Sequence, residues 1–118
     1  TLLNDDRQVL RVLEGRAQLS PTPWHGEERE INVGTVPLAA ILHLRQAPEN
    51  KIERLGEAQA LASLLATTVA PFYSFEAMER LTAAWSTVVR LVPSYVLDFT
   101  PDPCVVDLCV REVLSPLR

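Results

Sequence analysis

Cysteine, long apolar runs, clustered basic residues and a phosphate-binding glycine loop are scarce or missing in this 118-residue sequence, and each absence narrows what the chain can do. The two cysteines, Cys104 and Cys109, lie five positions apart in what reads as one helix, on different faces of it. That spacing matches no common zinc knuckle, so both are expected to serve as small apolar side chains. No apolar stretch approaches the roughly 20 residues that cross a bilayer, and no charged, apolar and small-residue series resembles a signal peptide. The expectation is a cytoplasmic protein with no membrane partner. Lys and Arg total 11 against 15 Asp and Glu, for a net charge of −4, and the basic residues are scattered. Both facts argue against general nucleic-acid binding and point instead to basic partners or small polar substrates. There is no Ser-His-Asp arrangement, no paired-cysteine zinc pattern and no dinucleotide glycine loop. Nor is there a Gly-x-x-x-x-Gly-Lys-Ser/Thr phosphate loop anywhere in the sequence.

What is present looks like a folded domain. Hydrophobic residues make up 47% and charged residues 22%, ordinary values for a globular chain, and the length fits one domain over residues 1–118. Arg7 to Leu13, then Glu14-Gly15, then Arg16 to Leu19 reads as a hairpin with Gly15 in the turn. Ser20 to Gly34 is rich in proline, glycine and charge, keeps no period, and is the expected functional loop. Pro37 to Leu44 is a short continuous apolar run, the pattern of a strand buried on both faces, and Lys51 to Leu55 is expected to pair with it. Ala58, Leu61, Ala62, Leu65 and Val69 recur at helical spacing up to Pro71. A second helix is capped by Ser74 and buries Met78, Leu81, Trp85, Val88 and Val92. Tyr95 to Phe99 alternates as a strand, and Asp102-Pro103 opens a last helix. The order predicts an α/β or α+β fold, with a mixed β-sheet and about three helices.

Asp5 and Asp6 form the first chemical feature. At a strand end, neighbouring residues face opposite ways, so one carboxylate can point at a ligand while the other holds a metal-bound water or the backbone. Magnesium suits such a pair, because it takes hard oxygen ligands, keeps several waters and needs few protein carboxylates beside phosphate. The alternative is plain turn chemistry, at which Asn-Asp-Asp is also good. Thr22-Pro23-Trp24-His25-Gly26-Glu27-Glu28 is the second feature, placing an aromatic ring, an imidazole and paired acids in one loop. His25 is a candidate for proton transfer, and Glu27 or Glu28 for completing a metal shell begun by an aspartate. The competing reading is a tryptophan plugging the core edge beside a solvated charge run. His43, inside an apolar strand, reads as a satisfied core histidine. Met78 and Trp85 read as packing, and Arg45 and Arg54 are candidates for an anionic phosphate.

With those residues in hand, the chain resembles the C-terminal part of HPr kinase/phosphorylase-like proteins, which share their nucleotide-binding fold with phosphoenolpyruvate carboxykinases. The carriers are Leu2-Leu3-Asn4-Asp5-Asp6 leading into a strand, the Thr22 to Glu27 loop, and Pro37 to Ile41 running to Gln46-Ala47-Pro48-Glu49-Asn50. The resemblance covers essentially the whole chain. It implies an ATP- and magnesium-dependent kinase acting on a serine hydroxyl of a protein or peptide. In that family a phosphate loop lies shortly upstream of the aspartate pair, and the sequence opens on Thr1 rather than an initiator methionine, so that half is expected upstream. Carried over, Asp5 becomes the base or metal-water ligand with Asp6 as its partner, and His25 joins them as a catalytic candidate. Asp6 and Glu27 are the metal candidates, and Arg45 is the nucleotide-phosphate candidate. Without the loop this chain alone is expected to bind no ATP. The rival reading is a non-catalytic module holding a peptide or protein on the Trp24 loop. A sheet edge exposed by a missing strand predicts a homo-oligomer.

Overall fold

The computed structural model describes residues 2–117, which divide into two units on either side of the Leu38–Ala39 bond. Two three-stranded sheets and three α-helices give the expected α+β fold, and one of the two sheets is mixed, with a parallel and an antiparallel pair.

In the first unit β1 (Gln8–Leu13) and β2 (Arg16–Pro21) form the expected antiparallel hairpin, and β3 (Val36–Pro37) adds to the far side of β2. Glu14 and Gly15 turn the chain with φ of 51° and 73°. Two successive left-handed residues match the natural twist of the flanking strands, which is why glycine is favoured here. Ala17 on β2 is the buried point of this sheet. Residues 22–35 carry no regular structure, in line with the irregular loop read from the sequence.

The second unit runs β4 (Ile41–Gln46), β5 (Lys51–Arg54), α1 (Glu57–Thr67), α2 (Phe75–Leu91), β6 (Ser94–Phe99) and α3 (Cys104–Cys109). A π-helical turn, Val110–Leu114, and a 3-10 turn, Ser115–Leu117, follow α3. The sheet order is β4-β6-β5, with β4 parallel and β5 antiparallel to the central β6. Two expectations are corrected here. Lys51 to Arg54 pairs with β6 and not with β4, because β6 takes the place between them. Strand β4 is consequently an edge strand and is not buried on both faces: Leu44 is 67% exposed.

Helix α1 buries Ala60 and Leu64, leaving Ala58 and Ala62 exposed, while Val69 lies beyond its end. The expected stripe is therefore rotated, and the reason is compositional. With Ala or Leu at most positions, apolar residues fall on nearly every side, so periodicity does not single out one face. Helix α2 follows its expectation. Ser74 accepts a hydrogen bond from the Ala77 amide at 3.2 Å, and Val88 is wholly buried with Val92 beside it, each such aliphatic side chain contributing about 1.5–3 kcal/mol. Trp85 is half-buried and donates Nε1–H to Thr68 Oγ1 at 2.8 Å, which joins α2 to the end of α1. Asp102 accepts the Cys104 amide at 2.8 Å and so caps α3, with Pro103 already helical at φ −54°. Cys104 is exposed and Cys109 half-buried, and both are free thiols, so only Cys109 behaves as a packed apolar side chain. Among the described residues no helix is long and apolar enough to cross a membrane.

Candidate functional site

The two features singled out in the sequence meet in the first unit. Asn4 is 2% exposed and organises the approach to β1. Its Nδ2 donates to the carbonyls of Trp24 at 2.8 Å, Arg7 at 2.9 Å and Thr22 at 3.1 Å, and its Oδ1 accepts the Asp6 amide at 3.0 Å. Thr22 Oγ1 donates to the same Arg7 carbonyl at 2.7 Å. A buried amide with four partners is well satisfied, so this knot fixes the 4–7 turn against the start of the loop. Sequence reasoning read Asn4 only as turn chemistry. No local pattern marked it for burial, because Leu2 before it is 40% exposed and Asp5 and Asp6 after it are exposed.

Asp5 extends the knot along the loop. Its Oδ1 accepts the Gly26 amide at 2.7 Å and its Oδ2 the Glu28 amide at 2.8 Å. Those two donors, Glu28 first and Gly26 next, hold the Asp5 carboxyl below its ordinary range, because they stabilise the charged form. Gly26 is there because nothing larger fits: a Cβ would stand 2.8 Å from Asp5 Oδ2 and 3.1 Å from Cγ. Further along, the Asn32 amide donates to Leu3 O at 3.0 Å, closing the loop back on the first residues of the unit.

The remaining candidates of the first unit lie on the same two segments and are exposed. The Asp6 carboxylate is 44% exposed and has only a loose ionic contact, 3.9 Å to Arg7 Nε. His25 is exposed, with Nδ1 3.0 Å from Gly26 O, so its Nε2 faces the opposite way around the ring. Glu27 is exposed and makes no side-chain hydrogen bond or ion pair among the described residues, and Trp24 is 61% exposed. Trp24 therefore does not plug a core. Among the described residues no three His, Cys, Asp or Glu side chains stand together to enclose a metal ion. Both oxygens of Asp5 already accept backbone amides, and no phosphate-binding loop is present in the sequence.

Arg45 lies in the second unit, where its Nε and an Nη donate to the two oxygens of Asp98 at 2.5 and 2.9 Å. The pair holds the Asp98 carboxyl low and raises the guanidinium further, and Lys51, in register with Asp98 from the other side, pairs with Glu53 at 2.6 Å. The guanidinium fork offered to a phosphate is thus already filled by a carboxylate. His43 is half-buried with Nε2 lacking a partner, and that burial lowers its pKa. It is not the satisfied core histidine of the sequence reading.

Comparison with protein-family models, curated proteins and solved structures finds no match for this chain.

Proposed function

We propose that this chain forms the acidic rim of an ATP- and magnesium-dependent kinase of the HPr kinase type, which phosphorylates a serine hydroxyl of a protein or peptide. One observation carries the reading: Asp5 clamps the Gly26 and Glu28 amides, so the exposed Asp6 carboxylate and the loop bearing His25 and Glu27 are fixed on one structural unit. Phosphoryl transfer asks little covalent chemistry of a protein and depends on positioning and charge neutralisation. The arrangement suggests a division of labour. Asp5, stabilised as an anion by its amide donors, is a poor proton acceptor and a durable charge, suited to hold a metal-bound water together with Glu27. Asp6, with no amide donor on its carboxylate, is left to orient the serine hydroxyl and take its proton as the oxygen accepts the γ-phosphoryl group and ADP leaves. Magnesium, when bound, neutralises charge on the phosphate oxygens. The phosphate loop itself would come from sequence outside these residues.

Calorimetric titration with ATP and magnesium, on this chain and on a longer gene product containing a phosphate loop, tests the reading. Binding by the longer form alone, with phosphate transfer abolished by Asp6→Ala, supports it. Phosphate transfer that is unchanged when both aspartates are replaced overturns it. The 61% exposure of Trp24 beside the acidic rim favours a second reading, a peptide-binding module, which stands if neither form binds nucleotide.

A further inference from the structure

In the second unit the described Arg and Lys side chains pair with carboxylates at all but two positions: Arg45 with Asp98, Lys51 with Glu53, Arg80 with Glu76 and Arg111 with Glu112. Arg54 and Arg90 have no carboxylate partner among the described residues. Although Arg54 closes β5 and Arg90 lies in the last turn of α2, both line one cavity of about 140 Å³. The cavity forms where elements start and stop. The Leu55 amide donates to Ser94 O at 2.9 Å, holding the end of β5 to the start of β6, and the Val92 amide donates to Val88 O at 2.8 Å as α2 ends. Ala60, Val92 and Ser94 are its buried lining, while Arg54, Glu57 and Arg90 are exposed. Ser94 is 4% exposed and its Oγ has no partner. The start of α1 adds backbone donors. Gly56 at its N-cap has no side chain to accept a hydrogen bond, and nothing lies within 4 Å of where a Cβ would stand. The amides of Glu57, Ala58 and Gln59 consequently find no acceptor among the described residues.

We propose that this cavity binds the phosphate group of a small ligand, held between the Arg54 and Arg90 guanidinium groups and the unpaired amides at the start of α1. Guanidinium forks match phosphate oxygens, and amides at a helix start favour an anion. The Glu57 carboxylate offsets only part of the charge of two arginines. Donors come from β5, α2 and α1, and a phosphate group has three terminal oxygens to meet them where a carboxylate has two. The unpartnered Ser94 hydroxyl in the lining is a further donor. Size limits the ligand. At about 140 Å³ the cavity is well below the roughly 300–1,000 Å³ of pockets that enclose a drug-sized molecule, so it fits a phosphate group and not a whole nucleotide. The site lies in the second unit and does not rest on the reading of the acidic rim.

Titration with inorganic phosphate, and separately with glycerol phosphate, at constant ionic strength and followed by amide NMR tests this. Saturable shifts at Glu57, Ala58 and Gln59 are expected. Arg54→Gln and Arg90→Gln, at exposed positions without ion pairs, should each weaken binding about tenfold. Arg80→Gln removes the same charge from α2 outside the cavity and should leave the affinity unchanged. Tighter binding of glycerol phosphate identifies the ligand as a phosphomonoester, and tighter binding of inorganic phosphate identifies it as the free ion. The proposal is overturned if neither compound saturates in the millimolar range, if neither cavity variant moves the midpoint, or if Arg80→Gln moves it as far as they do.

Discussion

Gly26 donates its amide to Asp5 at 2.7 Å and approaches it so closely that a Cβ would stand 2.8 Å from Asp5 Oδ2. That oxygen cannot retreat freely, because it also accepts the Glu28 amide at 2.8 Å. Gly26→Ala should therefore open the clamp and leave the hairpin intact. Amide exchange at Gly26 and Glu28 is expected to accelerate strongly while β1 and β2 amides keep their protection. Unchanged exchange at both loop amides would show that the clamp tolerates a side chain.

Asn4→Ala should be the costliest substitution in the first unit. It removes the donor shared by the Trp24, Arg7 and Thr22 carbonyls from a site 2% exposed, for a loss of about 2–4 kcal/mol. Urea denaturation followed by backbone signals from residues 1–38 measures it. Asn4→Asp keeps the size but loses the donors and sets a charge against carbonyl oxygens, so it should be no milder.

Acid should loosen the same loop through Asp5. Its folded pKa lies below the ordinary 3.8, so its contribution is complete above the unfolded value and fades as pH falls through the folded one. Carboxyl carbon shifts followed by NMR should place its midpoint below 3.8, and loop amide exchange should rise in the same window. Asp5→Asn should remove that acid-dependent step.

In the second unit, Ser74→Ala removes the hydroxyl that accepts the Ala77 amide at the start of α2, at a cost of about 1 kcal/mol, whereas Ser74→Asp should be nearly neutral. Chemical denaturation of the two variants side by side is sufficient to separate them.

Turns, caps and the stripe of α2 are legible locally, whereas the buried face of α1 and the pairing of the strands are not. The Glu14-Gly15 hairpin, the Ser74 cap, the α2 stripe and the Asp102 cap of α3 are each decided within a few residues, so the sequence carries them. The partner of β5 is decided by Ser94–Phe99, far along the chain, and alternation at Lys51 to Leu55 says nothing about which strand lies beside it. Proximity in sequence pointed to β4. The face of α1 was hidden by its alanine and leucine content, and the edge position of β4 by an apolar run that would equally suit an interior strand. At the candidate site the residue types were legible, as was their concentration in two short stretches. Their meeting was not, because it depends on Asn4 and Asp5 bonding to loop amides and carbonyls rather than to other side chains.

The central place of β6 also sets a timetable for folding. Strands β4 and β5 are separated by a short turn, yet each finds its hydrogen-bonding partner only in β6, after both long helices. Both native ladders of this sheet must await Ser94–Phe99, which follows α1 and α2 in the sequence. Pairing over such separations slows folding and lengthens the exposure of unpaired strands. The ladder of Ile41–Gln46 therefore closes only once Ser94–Phe99 is available, so the separation between these two strands, and not the local turn at residues 47–50, sets when this sheet can form.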